Sequence, residues 1–235
     1  MQIELIGASI IGSNTFRQEL PASFYDMISN HFDCVPLNHM IAQSSEERIL
    51  YNIKKTTKMD LVIIFHSTPQ FIYFPNFGRD YIHMSDKVID DWDAPNSFRY
   101  VEAYKQNRRD VVTNLSVDTE PIEKSTIKDF MKFHFNKDVT TNRFHGALSM
   151  INDYVFSKKI PVIHVVDSLP EWFDFKSGIV DHNIWKIENQ YSESFNKSVN
   201  GITEEGNLKI FKILLKYIDL LINHKEYFEN NTKVF

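Results

Sequence analysis

At 235 residues, with 26 basic and 31 acidic side chains, a net charge of −5 and one cysteine, the chain has the length of one α/β-sized domain and needs no covalent staples. The lone Cys34 excludes an internal disulfide framework and a thiolate-built zinc site, and the acidic balance excludes a global field that draws in nucleic acid or anionic lipid. With 43% hydrophobic and 24% charged residues the composition is that of a folded protein, and 19 Phe and 10 Tyr point to a bulky aromatic core.

Residues 3–6 read as a first strand that ends in Gly7-Ala8-Ser9-Ile10-Ile11-Gly12. Pro21 breaks the stretch that follows, so a helix is expected over residues 22–31, with a short second strand at 34–37. Ser44 stands three residues before Glu47, the spacing of a capping box, and predicts a helix start there. Residues 60–65 are apolar and β-branched almost throughout, which marks a central strand needing cover on both faces. His66-Ser67-Thr68-Pro69 follows, and residues 66–99 read as a long aromatic loop without a regular period.

Helical segments are expected at 100–115 and 125–135, and a stronger one at 142–157, where Phe144, Leu148, Ile151 and Val155 recur at helical spacing. Residues 160–166 form another interior strand, with Pro161 tolerable only at its start. A second long loop is expected at 167–199, then a turn at 201–206. A terminal helix from Asn207 carries Ile210, Phe211, Leu214, Leu215, Ile218 and Leu221 along one face. This alternation predicts a single domain over residues 1–235, a three-layer α/β/α fold with an open, mostly parallel sheet. No apolar run approaches the roughly 18 residues of a membrane span, and the opening residues lack the pattern of a secretory leader, so a cytoplasmic protein is expected.

Open parallel sheets bind ligands beyond the carboxyl ends of their strands, which directs attention to Ser9, to His66-Ser67-Thr68 and to Asp167-Ser168. A serine at a strand-to-loop junction either caps the next segment or exposes a nucleophilic hydroxyl next to backbone N–H groups that face an oxyanion. Gly7-x4-Gly12 lacks the third glycine of a dinucleotide fingerprint and the lysine of a phosphate loop. His164-x-x-Asp167 and the pair His134 and His145 do not make a recognisable metal motif, so no metal and no cofactor are expected. Lys54-Lys55 with Lys58, and Arg108-Arg109, read as solvated helix faces; a nucleic-acid partner is not expected, and homo-oligomeric assembly is left open.

Ile3-Glu4-Leu5-Ile6-Gly7-Ala8-Ser9 followed by Ile10-Ile11-Gly12 resembles the first block of the SGNH, or GDSL-type, hydrolases. Asn38 with Gln43-Ser44-Ser45 and Arg48-Ile49 resembles the second block of one branch, residues 60–65 with His66-Ser-Thr-Pro its third strand and loop, and Asn200-Gly-Ile-Thr203-Glu-Glu-Gly206-Asn207 its final block. The resemblance implies that Ser9 is the nucleophile, that Gln43 or Ser44 lies near the oxyanion, and that His66-Ser67-Thr68 stands where the third-block Asn belongs, with no Asn there. Asn200 and Thr203 replace the family's Asp and general-base His. A threonine hydroxyl cannot accept a proton near neutral pH as imidazole does, so the base must come from elsewhere: His182 beside Asp181, or His66. The expected function is a serine esterase acting on an acyl or acetyl ester of a small molecule or glycan. The alternative is a noncatalytic ligand-binding or structural protein on the same fold, with Tyr73, Phe74, Phe77, Trp92, Trp172 and Trp185 as apolar surfaces for a ligand.

Overall fold

Strand β3 (Leu61–Phe65) has all five side chains buried and sits between β1 (Ile3–Gly7) and β7 (Val162–Val165), as an uninterrupted apolar strand must. In a computed structural model these strands belong to a six-stranded sheet of order β11-β8-β7-β3-β1-β2, with β2 at Leu37–Met40, β8 at Gly178–Asp181 and β11 at Thr232–Val234. Every pairing in it is parallel. The structure describes residues 2–7, 23–33, 37–40, 45–55, 59–67, 71–74, 79–83, 98–101, 137–167, 169–196, 199–229 and 231–235.

Helices cover both faces. Helix α1 (Phe24–Phe32), α4 (Ile184–Gln190) and α5 (Glu204–Asn223) lie on one side, where Phe24, Ile28, Ile184, Ile210, Leu214 and Ile218 pack against Leu5, Ile63 and Val165. On the other side α2 (Glu46–Lys55) and α3 (Lys137–Ser157) press Ile49, Ile53, Ile151 and Val155 onto Ile6, Val62, Ile64 and Val162. The three-layer α/β/α arrangement read from the sequence is therefore the observed one. Helix α1 starts at a capping box, in which Ser23 Oγ accepts from the Asp26 N–H and Asp26 returns a bond to the Ser23 N–H, and it ends at Asp33 in the left-handed region.

Several elements differ from the sequence reading. The second strand falls at Leu37–Met40, and α3 starts at Lys137, five residues ahead of the expected start. Within 66–99 the chain forms β4 (Phe71–Phe74) and β5 (Arg79–His83), which join β6 (Phe98–Val101) in a separate antiparallel sheet; the expected helix at 100–115 thus begins inside a strand. The segment 167–199 contains β8, α4 and β9 (Ser192–Asn196), the last paired antiparallel with β10 (Val199–Ile202). A short helix α6 (Lys225–Phe228) precedes β11. The readings at Cys34, at Phe77, at Trp92 and at 125–135 lie outside the described residues.

The sheet order reverses at one point. From β1 the chain moves outward to β2, then returns to β3 and proceeds the other way through β7, β8 and β11, so the order reverses between β1 and β3. In doubly wound sheets ligands bind at this reversal, beyond the carboxyl ends. Gly7 closes β1 there with φ +132°, and a Cβ at that position would collide with the carbonyl oxygen of Phe65, so only glycine allows the two strands to leave the sheet this close together.

Candidate functional site

His66 and Ser67 follow β3 at that reversal. The His66 N–H donates to the Val165 carbonyl at 2.9 Å, extending the ladder by one residue. Two positions beyond Ile64, which faces α2 and α3, strand alternation puts the imidazole on the same face. There it meets Glu46, the first residue of α2. Ser45 Oγ accepts from the Arg48 N–H at 3.3 Å and so starts the helix, which brings the Glu46 side chain over the end of β3. The cap is thus Ser45; Ser44 lies outside the described residues.

Glu46 is buried yet fully engaged. One carboxylate oxygen stands 2.6 Å from His66 Nδ1, and the other accepts from the Ser67 N–H at 2.9 Å. Its place in the first turn of a helix also favours negative charge. On the far side of the ring, His66 Nε2 is 2.8 Å from Nδ1 of His164, a strand residue with no exposed surface. Glu46, His66 and His164 form one continuous hydrogen-bonded chain inside the protein.

His164 is held neutral. Desolvation, and then the neighbouring His66, push its pKa well below the ordinary imidazole value, while the Ser177 backbone works weakly in the other direction. Phe175, from the connection between β7 and β8, stacks on the His164 ring with centroids 3.7 Å apart and also touches His66 at 5.2 Å. Phe173 meets Phe175 edge-on, and Phe144 and Leu148 of α3 complete this apolar cover. His164 Nε2 and Ser177 Oγ are buried without a hydrogen-bond partner.

The other residues singled out in the sequence fall in different places. Ser9, Gln43 and Thr68 lie outside the described residues. Asp181 ends β8 with no exposed surface: Oδ1 accepts from the N–H groups of Asn183 and Ile184 at 2.9 and 2.7 Å, and Oδ2 accepts from the Tyr217 hydroxyl at 2.6 Å. Its carboxylate thereby fastens the start of α4 and the middle of α5. His182 follows it, half-buried, with its N–H directed to the Phe235 carbonyl at 3.3 Å. Thr203 is the N-cap of α5, its Oγ1 accepting from the Gly206 N–H at 3.2 Å, and Asn200 lies in β10. Tyr73 and Phe74 are in β4. Trp185 is partly buried against Phe65, whereas Trp172 is exposed and meets His145 edge-on at 5.1 Å.

The structure therefore joins His66 and Ser67 through a residue that the sequence reading passed over, Glu46, and adds His164. The signal for Glu46 was the second of two serines before two glutamates: a cap at Ser45 makes Glu46 the first helical residue, over the carboxyl end of β3. Chemically, a carboxylate that anchors one nitrogen of an imidazole fixes its tautomer and stabilises its charged form. Among the described residues no cluster of three side chains has the arrangement of a metal site, and no helix is long and apolar enough to cross a membrane. The fold defines the class, an open α/β/α protein with a parallel sheet flanked by helices and a point of reversal between β1 and β3. No protein-family model matches the chain, and no curated protein matches it.

Proposed function

We propose that the chain is a serine-type acyl-ester hydrolase of the SGNH kind, acting on an acyl or acetyl ester carried by a small molecule or a glycan. Ser9 attacks the carbonyl, and His66, oriented by Glu46, takes the hydroxyl proton at Nε2 when the His164 contact there opens. The observation that carries this reading is the Glu46–His66 contact at the exit of β3, the strand hydrogen-bonded to β1. Gly7 is in register with Phe65, so β1 and β3 end at the same level of the sheet. Ser9 and His66 each follow that level by no more than two residues. The Ser9 N–H, a group near Gln43 or Ser44, and the polar Ser67-Thr68 pair supply the donors for the oxyanion.

His182 is the less favoured base. It follows β8, which is three strand spacings from β1, or roughly 14 Å, and the Asp181 carboxylate beside it is already engaged on both oxygens. Activity is expected against short p-nitrophenyl esters and acetylated sugars. Ser9→Ala should abolish it without unfolding, His66→Gln should lower kcat by about 100-fold or more, and His182→Ala should leave most of it. Hydrolysis that survives Ser9→Ala would overturn the assignment.

A second reading draws on one feature: the His66 nitrogen that must accept the proton is occupied by His164 at 2.8 Å. A protein that uses this point of the sheet only to bind would keep this contact closed. Ligand binding retained by Ser9→Ala, with no turnover by the natural chain, selects it.

A further inference from the structure

Glu46, His66 and His164 are joined by two contacts of 2.6 and 2.8 Å, and the chain of ring nitrogens ends at a buried His164 Nε2 that has no partner. With two neutral rings, the proton on His66 Nδ1 points to Glu46, that on His164 Nδ1 points to His66 Nε2, and His164 Nε2 carries a bare lone pair. One more proton fits the same heavy-atom positions. It binds at His164 Nε2, while the proton on His164 Nδ1 crosses to His66 Nε2. His164 remains neutral in its other tautomer, and the positive charge appears on His66, beside the Glu46 carboxylate.

We propose that these three side chains are a buried proton relay, loaded at His164 Nε2, that stores one proton as imidazolium on His66. Neither group alone explains the geometry. A ring needed only for packing would not align one of its nitrogens on another imidazole, and an isolated ion pair between Glu46 and His66 would not need His164. A second proton is excluded because two imidazolium rings would face each other across 2.8 Å in an apolar surround capped by Phe175. The burial that keeps His164 neutral directs the charge to the ring that has the carboxylate.

Other titratable groups stand on the elements around the relay. On α2, Glu47 is paired with Arg143 of α3, and Arg48 is buried with further contacts of its own. Asp153 of α3 is paired with Lys176 of the β7–β8 connection, which also carries the exposed Asp174, and His145 packs on Trp172. Glu4 of β1 is buried on the same sheet face, four residue positions before the level of His66. Among the described residues, the carboxylate seen on an imidazole of the relay is that of Glu46.

The test is a titration of the full chain, labelled with 15N-histidine, from about pH 8 to about pH 4.5, reading the ring nitrogens by NMR. The expected result is a single shared step, in which His66 becomes imidazolium while His164 changes from its Nδ1–H to its Nε2–H tautomer and stays neutral. Glu46→Gln should lower the proton affinity of that step at least tenfold, and His164→Phe should leave His66 titrating with no partner step. A His164 that keeps one tautomer throughout, or that itself becomes imidazolium, overturns the relay. The wild-type measurement decides the matter alone should either variant fail to fold, and it needs no esterase activity.

Discussion

Tyr217 and Asp181 show what it takes to keep a charged side chain inside this protein. Asp181 has no exposed surface, and each carboxylate oxygen is matched by donors: two backbone N–H groups on one, a phenol hydroxyl on the other. Burial first, and then the bond to Asp181, raise the Tyr217 pKa above its ordinary value, so the phenol stays a donor over the whole physiological range. Tyr217→Phe leaves Asp181 Oδ2 without that donor and should cost about 1–3 kcal/mol in a urea-unfolding experiment. His164 contributes to the loss of stability in acid. Unfolded, this ring becomes imidazolium below about pH 6.5, whereas folded it stays neutral, so the unfolded state holds more protons and stability falls as pH falls from 6.5 toward the lowered native value. The loss should approach about 1.4 kcal/mol per pH unit and should flatten in His164→Phe, as read by denaturation at a series of pH values. At this scale the sequence showed His66 and Ser67, because a strand end in a parallel sheet is a known address. It did not show Glu46 or His164: their pairing joins residues 20 and 98 positions away in the chain, a distance that local pattern cannot bridge.

At the scale of the element, helix starts decide where polar groups fall. Thr203 stands where the SGNH resemblance would place a histidine base, and its hydroxyl caps α5. Thr203→Ala should therefore cost about 1 kcal/mol of stability, seen as a lower urea midpoint with an unchanged slope, and should leave any ester turnover per folded molecule intact. Strands divide into two groups by how well the sequence displays them. Those of the sheet centre, β1, β3 and β7, are mostly apolar, broken only by Glu4 and His164, and buried on both faces, so their composition identifies them. Strand β8 offers only Ile179 and Val180 between Gly178 and a buried acid, and β11 is three residues long and mostly exposed. β8 is a strand because β7 supplies an edge to pair with, and β11 because β8 does, a nonlocal cause that leaves little mark on the residues themselves. Gly178 illustrates it: its φ of +93° and the Val162 carbonyl lying against its Cα make glycine obligatory where β8 joins β7, yet in the sequence it looks like an ordinary loop glycine.

For the molecule as a whole, the parallel sheet needs its last strand. Strand β11 lies against β8, where the Gly178 N–H donates to Asn231, the Phe235 N–H to Val180, and the His182 N–H to Phe235. The Phe235 ring also sits 4.8 Å from Tyr217, the residue that closes the Asp181 network, and belongs to the same core as α5. Ending the chain at Glu229 therefore removes more than a loose tail: it strips the edge from β8, frees the N–H groups of Gly178 and His182, and uncovers Tyr217. A bare parallel edge with unpaired backbone groups is a template for strand addition from another molecule. The truncated chain should unfold at lower urea than the full chain. It should also associate as its concentration rises, which light scattering across a dilution series would read. A truncated chain that stays monomeric and as stable as the full one would mean that the edge of β8 is protected by something other than β11. The Glu46–His66 contact, at the end of β3 two strands inward from β8 and on the opposite face, should keep its NMR signature in either case, since β7 separates it from the exposed edge.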